Sequence, residues 1–243
     1  MIIRHDEHLG STGTRVAFVS DLHLFSSRCN EPQHRDAIDG AIRWCDVCIW
    51  GGDLFDLRWA DRPPATAHDD AIEYLSAWTT RYASKRYVYL WGNHDVEPEF
   101  RDRLSRWMRS QQAYEPAADV LRIANTVFLH GDVIEGSGSP ESFARYRGRW
   151  SAKSPAGRWR HRLYDVAVAG RLHLTTSAIA HRHRRTASRL IRWCDRYAGG
   201  RPKRIVFGHT HRKIDGVEID GVRIHNGGAA VRHVRFAPVQ IAL

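Results

Sequence analysis

The sequence predicts a single α/β domain, and three observations carry that expectation. Short apolar runs of strand character alternate with longer stretches of helical periodicity. The chain has 243 residues, enough for one large domain with a buried core and too few for two comfortable ones. Five of the strand-like runs stop at a glycine or small residue close to a carboxylate, amide or imidazole. Loops at the carboxyl ends of α/β strands converge on one crevice, so residues remote in sequence can share a site.

Residues 15–20 (RVAFVS) form the first expected strand, a short buried run around Val16 and Phe18 that ends at Asp21-Leu22-His23. A polar loop leads to residues 33–44, where Ala37, Ile38, Ala41, Ile42 and Trp44 recur at helical spacing. Residues 46–50 (DVCIW) read as the second strand, stopped by Gly51-Gly52 and followed at once by Asp53. Prolines make 58–64 a loop, and helical periodicity resumes over 68–82 through Ile72, Leu75, Trp78 and Tyr82. The third strand, 87–91 (YVYLW), runs into Gly92-Asn93-His94-Asp95. A charged helix over 99–112 carries Phe100, Leu104, Trp107 and Met108 on one face. Residues 119–123 and 126–129 are expected to be strands joined by a turn at Ala124-Asn125, the second closing on His130-Gly131-Asp132.

Glycines and serines over 136–139 mark the start of a basic segment. Within it, Phe143, Tyr146 and Trp150 make one apolar stripe and Leu190, Cys194 and Tyr197 another, so two or three basic amphipathic helices are expected before Gly199-Gly200 and Pro202. Strand character returns at 204–207 (RIVF) and breaks at Gly208 before His209-Thr210-His211. Residues two apart in an extended segment point to the same side, so both imidazoles can face one small volume. The tail from residue 217 gives β-rich runs, VEI, VRIHN, VRHVRFA and VQIAL, separated by turns at Asp220-Gly221, Gly227-Gly228 and Pro238.

The net charge is +10, and its location matters more than its size. Residues 141–204 hold 17 Lys and Arg against Glu141, Asp165 and Asp195, whereas the remainder holds 20 basic and 24 acidic residues. All the basic excess therefore sits in one segment, which is suited to attract a phosphate-bearing substrate, an acidic lipid or nucleic acid. The first ten residues carry charges where a signal peptide needs an apolar core, and no apolar run approaches the ~20 residues needed to span a bilayer. An intracellular protein is expected. Four unevenly spaced cysteines suit a reducing compartment. Cys45 and Cys48 form a lone C-x-x-C inside a strand-like run, for which core packing is the expected role.

The strand ends supply Asp21 and His23, Asp53 and Asp56, Asn93 and His94, His130, and His209 and His211. Singly, each has an ordinary explanation: a helix cap for Asp53 or Asp56, a tight turn for Asn93, a packed core residue for His130. Together those explanations leave the repeated adjacency of histidine and carboxylate unaccounted for. Mixed carboxylate, imidazole and amide donors suit two borderline divalent ions such as Mn, Fe, Co or Zn, and the lack of thiolates argues against structural zinc. A carboxylate bridging two ions ~4 Å apart would promote in-line phosphoryl displacement. His94 is then available to protonate the leaving oxygen, with Asp95 expected to hold it charged and oriented.

DLH, GDLFD, GNHD, HGD and GHTH, in this order and each after a strand, resemble the five signature blocks of the calcineurin-like metallophosphoesterases. The resemblance spans Asp21 to His211 and implies a four-layer α-β-β-α sandwich of two mixed sheets, with a dinuclear site at their edge. It implies that Asp21, His23 and His211 hold one ion, that Asp53 bridges, and that Asn93, His130 and His209 hold the other. His94 would be the catalytic histidine, with Asp56, Asp95 and Asp132 supporting the ligands. Asn226-Gly227-Gly228 is similar to a small-residue loop that lies near the site in many members.

Within that family, DLHL, GDLFD, HGD and GHTH with a basic helical insertion look like the UDP-2,3-diacylglucosamine hydrolase branch, which cleaves a pyrophosphate at the membrane surface. The expectation is one domain over 1–243 with a basic cap at about 136–202, cytoplasmic and peripheral to the inner face of the membrane. His94 departs from that branch, whose common enzymes carry arginine there. The other readings are a phosphatase, phosphodiesterase or nuclease with Trp150, Trp159, Tyr164 and Trp193 as stacking platforms, and a non-catalytic interaction module.

Overall fold

Side-chain alternation along the strands sorts this chain into layers. The computed structural model describes residues 1–153 and 183–243, with Gly157, Trp159 and Val168 between them. The strands are β1 (Ile3–His5), β2 (Arg15–Val19), β3 (Val47–Trp50), β4 (Arg86–Tyr89), β5 (Val120–Ile123), β6 (Thr126–Leu129), β7 (Arg204–Phe207), β8 (Ile214–Ile219), β9 (Val222–Asn226) and β10 (Val239–Ala242). The described helices are α1 (Arg35–Trp44), α2 (Pro64–Arg81), α3 (Pro98–Arg109), α4 (Pro140–Ser151) and α5 (His183–Tyr197). One sheet has the order β10-β2-β3-β4, with β2, β3 and β4 parallel and β10 antiparallel. The other has the order β1-β5-β6-β7-β9-β8 and is also mixed, with β6, β7 and β9 parallel.

Val16 and Phe18, Val47 and Ile49, and Val88 and Leu90 point inward and meet Leu121, Ile123, Phe128 and Val206 of the second sheet. The alternate residues Ala17 and Val19, Cys48 and Trp50, and Tyr87 and Tyr89 point outward and are covered by α1, α2 and α3 through Ile38, Leu75, Phe100 and Leu104. On the opposite side Val127, Leu129, Ile205, Phe207 and Ile224 pack under Phe143 of α4 and Ala187, Leu190 and Cys194 of α5. Both sheets are thus buried on both faces, which is why their strands read as continuous apolar runs. The result is the expected four-layer α-β-β-α sandwich.

Several local expectations shift. Helix α2 begins at Pro64, because proline's fixed φ suits the first helical turn and the pair of prolines there starts the helix rather than excluding it. Strand β1 pairs with β5 in a stretch whose three residues gave no pattern to read. VRHVRFA forms a turn with isolated bridges, not a strand, as His233 takes φ 68° and Val234 N–H donates to Val231 C=O at 3.0 Å. At the two ends of the segment expected as an insertion over 136–202, α4 and α5 pack as the outer layer of the second sheet. The middle of that segment, 154–182, lies almost wholly outside the described residues. Cys45 and Cys48 are free and buried in the core. No described helix is long and apolar enough to cross a membrane.

Candidate metal centre

The parallel strands β2, β3 and β4 end at one edge of their sheet, and β6 and β7 end beside it. The loops that follow interlock through backbone hydrogen bonds to carboxylates. Asp21 accepts from His209 N–H at 3.0 and 3.1 Å, and Asp53 Oδ1 accepts from His94 N–H at 2.8 Å. These contacts leave no room for a side chain between the loops. A Cβ on Gly208 would lie 2.2 Å from Asp21 Oδ2, and one on Gly92 would lie 2.1 Å from Asp53 Oδ1.

The backbone at this edge is strained where the donors sit. Asp21, His23, Asp53, His209 and His211 all have positive φ, between 50° and 65°. Left-handed backbone costs a non-glycine residue roughly 1–2 kcal/mol, and it persists where the surroundings over-determine it, as at ligand sites. Asn226 supplies part of that constraint by donating from Nδ2 to Gly208 C=O at 2.7 Å and to Thr210 Oγ1 at 3.2 Å, while its Oδ1 accepts from Gly228 N–H. The Asn226-Gly227-Gly228 turn thereby pins the loop that carries His209 and His211.

Among the described residues, potential ligand atoms gather into three groups, each within 4.8 Å: Asp21, His23 and His211; His23, Asp53 and His94; and Asp53, His130 and His209. His23 Nε2 and His211 Nε2 are 3.0 Å apart, and His211 Nε2 is 3.4 Å from Asp21 Oδ1. His130 Nδ1 donates to Gly51 C=O at 3.1 Å, which turns Nε2 toward Asp53 Oδ2 at 3.2 Å. Such an arrangement orients a ligating imidazole through its other nitrogen.

Charge in this crevice pulls the histidines apart. Burial, aided by the neighbouring His211 and His94, brings His23 down to about 4 and so keeps it neutral with a lone pair to offer. Burial also opposes charge on His130, but the Asp53 carboxylate outweighs it and pushes the imidazole up to about 10. The same negative potential would attract a metal cation. Two buried donors support that fit: among the described residues Asn93 Oδ1 has no hydrogen-bond partner, and His130 Nε2 faces Asp53 outside hydrogen-bonding geometry. Burying such atoms unsatisfied costs about 1–3 kcal/mol each, which a bound cation would offset.

His94, a member of the second group, has Nε2 3.9 Å from Asp53 Oδ2. Its Nδ1 hydrogen-bonds Asp56 Oδ1 at 2.8 Å, and despite burial the charges of Asp53 and Asp56 push it up to about 9. The charge of Asp95 adds to the same upward push, while the hydrogen bond to the ring comes from Asp56. The Asp95 carboxylate instead accepts from the backbone N–H of Asp53 at 2.6 Å and of Gly92 at 3.2 Å, bracing one loop against the other. Burial and the Asp53 charge raise Asp95 to about 7, which makes it a weaker counter-charge than its position in Gly-Asn-His-Asp suggests. The Asp132 carboxylate accepts from Arg147 Nε at 2.8 Å and adds its charge to the field at His130.

Three contributors are not legible in the sequence. Glu135 Oε1 meets His209 Nε2 at 2.9 Å, from five residues past His130, where no motif marks it. Arg147 is buried and ties α4 to Asp132, Asp119 and Trp91 C=O, although nothing distinguishes it from the other arginines of the basic segment. The Trp150 ring lies 4.5 Å from that of His94. Its helical stripe with Phe143 and Tyr146 places it on one face without showing what that face meets.

No curated protein matches this chain significantly. A solved dimetal phosphatase from Danio rerio aligns with a TM-score of 0.48 and 12% identity, over 96% of this chain and 93% of that one. The family model described as calcineurin-like phosphoesterase matches residues 14–213, a span that runs from just before β2 to just past His211. Every strand-end loop at the crevice lies within it, and the chain belongs to the calcineurin-like phosphoesterases, a family of metal-dependent phosphoester hydrolases.

Proposed function

We propose that this chain hydrolyses its phosphoester or pyrophosphate substrate with two divalent ions, manganese first among them and Fe, Zn or Co able to replace it. Asp21, His23 and His211 would hold one ion, Asn93, His130 and His209 the other, and Asp53 would bridge. The observation that carries this reading is the meeting of strained, partly unsatisfied donors from five strand-end loops at one edge. Ions bound there would acidify a water molecule and neutralise charge on the phosphoryl oxygens during in-line displacement.

The chain's own groups do the rest. Asp56 fixes the tautomer of His94 by accepting from Nδ1–H, which leaves the Nε2 proton to be given to the leaving oxygen. Trp150 covers one side of the His94 ring and limits access of water to it. Asp95 keeps the Asp53 and Gly92 loops in register, so the bridging carboxylate and the acid stay in fixed relation.

For the substrate, the order of the blocks and the basic residues of 141–204 favour a pyrophosphatase of the UDP-2,3-diacylglucosamine type, working in the cytoplasm at an anionic membrane face. The nucleic-acid reading has less support, because Trp193 is only 4% exposed within the core and Trp150 is covered by His94 and by Lys153 Nζ at 3.2 Å. Tyr164 lies outside the described residues. The test is a metal-depleted protein assayed with manganese on an aryl phosphate and on the UDP-linked lipid. Two ions per chain should bind and activity should return with them; activity indifferent to chelation would refute the reading. His94→Asn should bind both ions and lose about 10²-fold or more in kcat, most with poor leaving groups. Equal losses with good and poor leaving groups would remove His94 from the acid role.

A further inference from the structure

Beside His94 and Asn93, at the rim of the ligand groups, a cavity of about 160 Å³ opens between two segments far apart in sequence. Arg58, in the turn after β3, lines one side, and Trp150 and Lys153, at the end of α4, line the other. Neither cation pairs with a carboxylate among the described residues. Arg58 Nε is buried without a hydrogen-bond partner, and the guanidinium lies 5.6 Å over the Trp59 ring. The Lys153 ammonium rests 3.2 Å over Trp150, and its pKa is lowered by burial and then by the charge of Arg58. The acid that lines the cavity, Glu97, is 3.5 Å from His68 Nε2.

Two like charges that face one cavity repel each other, and an anion held between them would relieve that repulsion. Their position says which anion. His94 delivers its proton to the leaving oxygen, so a cavity lined by both His94 and Asn93 is placed to receive the leaving group. We propose that Arg58 and Lys153 form an anion subsite for a leaving group that is itself a phosphate, so that the enzyme prefers phosphoanhydrides to simple monoesters. This rests on the phosphoryl-transfer role given to His94 above. In the step, a water oxygen bonds to the attacked phosphorus and the bridging P–O bond breaks with its electron pair on the departing phosphate. That phosphate takes the His94 proton, and the water's proton passes to solvent. Trp150 walls the subsite and orients His94, its ring engaged by the His94 ring at 4.5 Å and by Lys153 Nζ at 3.2 Å.

The experiment has a binding arm and a kinetic arm. Methylenediphosphonate, which cannot be hydrolysed at the bridge, should bind the manganese-loaded protein about tenfold or more tighter than inorganic phosphate, as expected for added charge-assisted hydrogen bonds. Arg58→Ala and Lys153→Ala together should erase most of that advantage while circular dichroism confirms an unchanged fold. In kinetics, the ratio of kcat/KM for a diphosphate over an aryl phosphate should fall about tenfold or more in the double variant. An unchanged binding preference, or equal losses on both substrates, would overturn the subsite. A native enzyme inactive on both substrates would instead refute the hydrolase reading, and the diphosphonate preference would still decide the subsite.

Discussion

The two sheets contribute different chemistry to one crevice. From the four-stranded sheet come the carboxylates of the ligand groups, Asp21 and Asp53, with His23 and His94 and the neighbouring Asn93. From the six-stranded sheet the ligand groups take imidazoles, His130, His209 and His211, with Glu135 beside His209. The first set carries negative charge that would repel itself, and the second is neutral or cationic; each set alone is half a site. Asp21 accepting from His209 N–H and Asp53 beside His130 show the halves joined by that complementarity. A dinuclear centre here therefore depends on the core between the sheets as much as on its ligands.

The largest effect should come from the carboxylate side. Asp53→Asn removes the charge between the two metal groups and should cost about 10³-fold or more in kcat on an aryl phosphate, with loss of bound metal in elemental analysis and an unchanged thermal transition of the metal-free protein. Near-normal activity would mean that Asp53 does not bridge. Next is the seam between the sheets. Phe128, fully buried and stacked 6.3 Å from Phe18, joins them, and Phe128→Ala should destabilise by about 3–5 kcal/mol in denaturant unfolding and weaken metal affinity as well. Leu75→Ala, which opens a cavity under α2 outside the seam, should destabilise by about 2–5 kcal/mol and leave metal affinity alone. Equal effects of the two on metal binding would show that sheet packing does not set the site.

Arg147→Met leaves Asp132 and Asp119 buried without their cation and should cost about 3 kcal/mol. Its pH dependence has a definite sign. Burial would raise the Asp132 carboxyl, but Arg147 outweighs it and holds the group below its ordinary value of 3.8. The pair's contribution is complete above that value and is lost as pH falls through the depressed one. The stability gap between variant and parent should thus narrow in acid; a gap constant from pH 7 to pH 3 would assign the loss to packing alone. The smallest change is Glu135→Gln, which keeps a hydrogen bond to His209 but removes its charge. Metal affinity should fall about tenfold with the fold intact, and no change would make Glu135 a bystander on the imidazole side.

Much of this organisation is legible in the amino-acid order alone. The strand ends are legible because each needs only a strand, a stop and a polar residue, which are local features. Asp95 adjoins His94 in sequence, yet the carboxylate hydrogen-bonded to the His94 ring is Asp56, 38 positions earlier. The basic segment reads as one insertion because charge hides which arginine turns inward. Arg147 and the buried stripes of α4 and α5 belong to the sandwich.

By itself the sequence determined the alternation of strands and helices, the two-faced burial of the strands and the identity of the donors at their ends. Periodicity and residue chemistry act within a few positions, so they survive reading in one dimension. Only the tertiary structure decided which donor meets which: that His130 turns to Asp53, that Asp56 holds His94, that Glu135 reaches His209, and that Arg58 and Lys153 face one cavity. Those pairings are chosen by the packing of two sheets and by the cost of leaving buried polar groups unmatched, and neither acts until the chain has closed on itself.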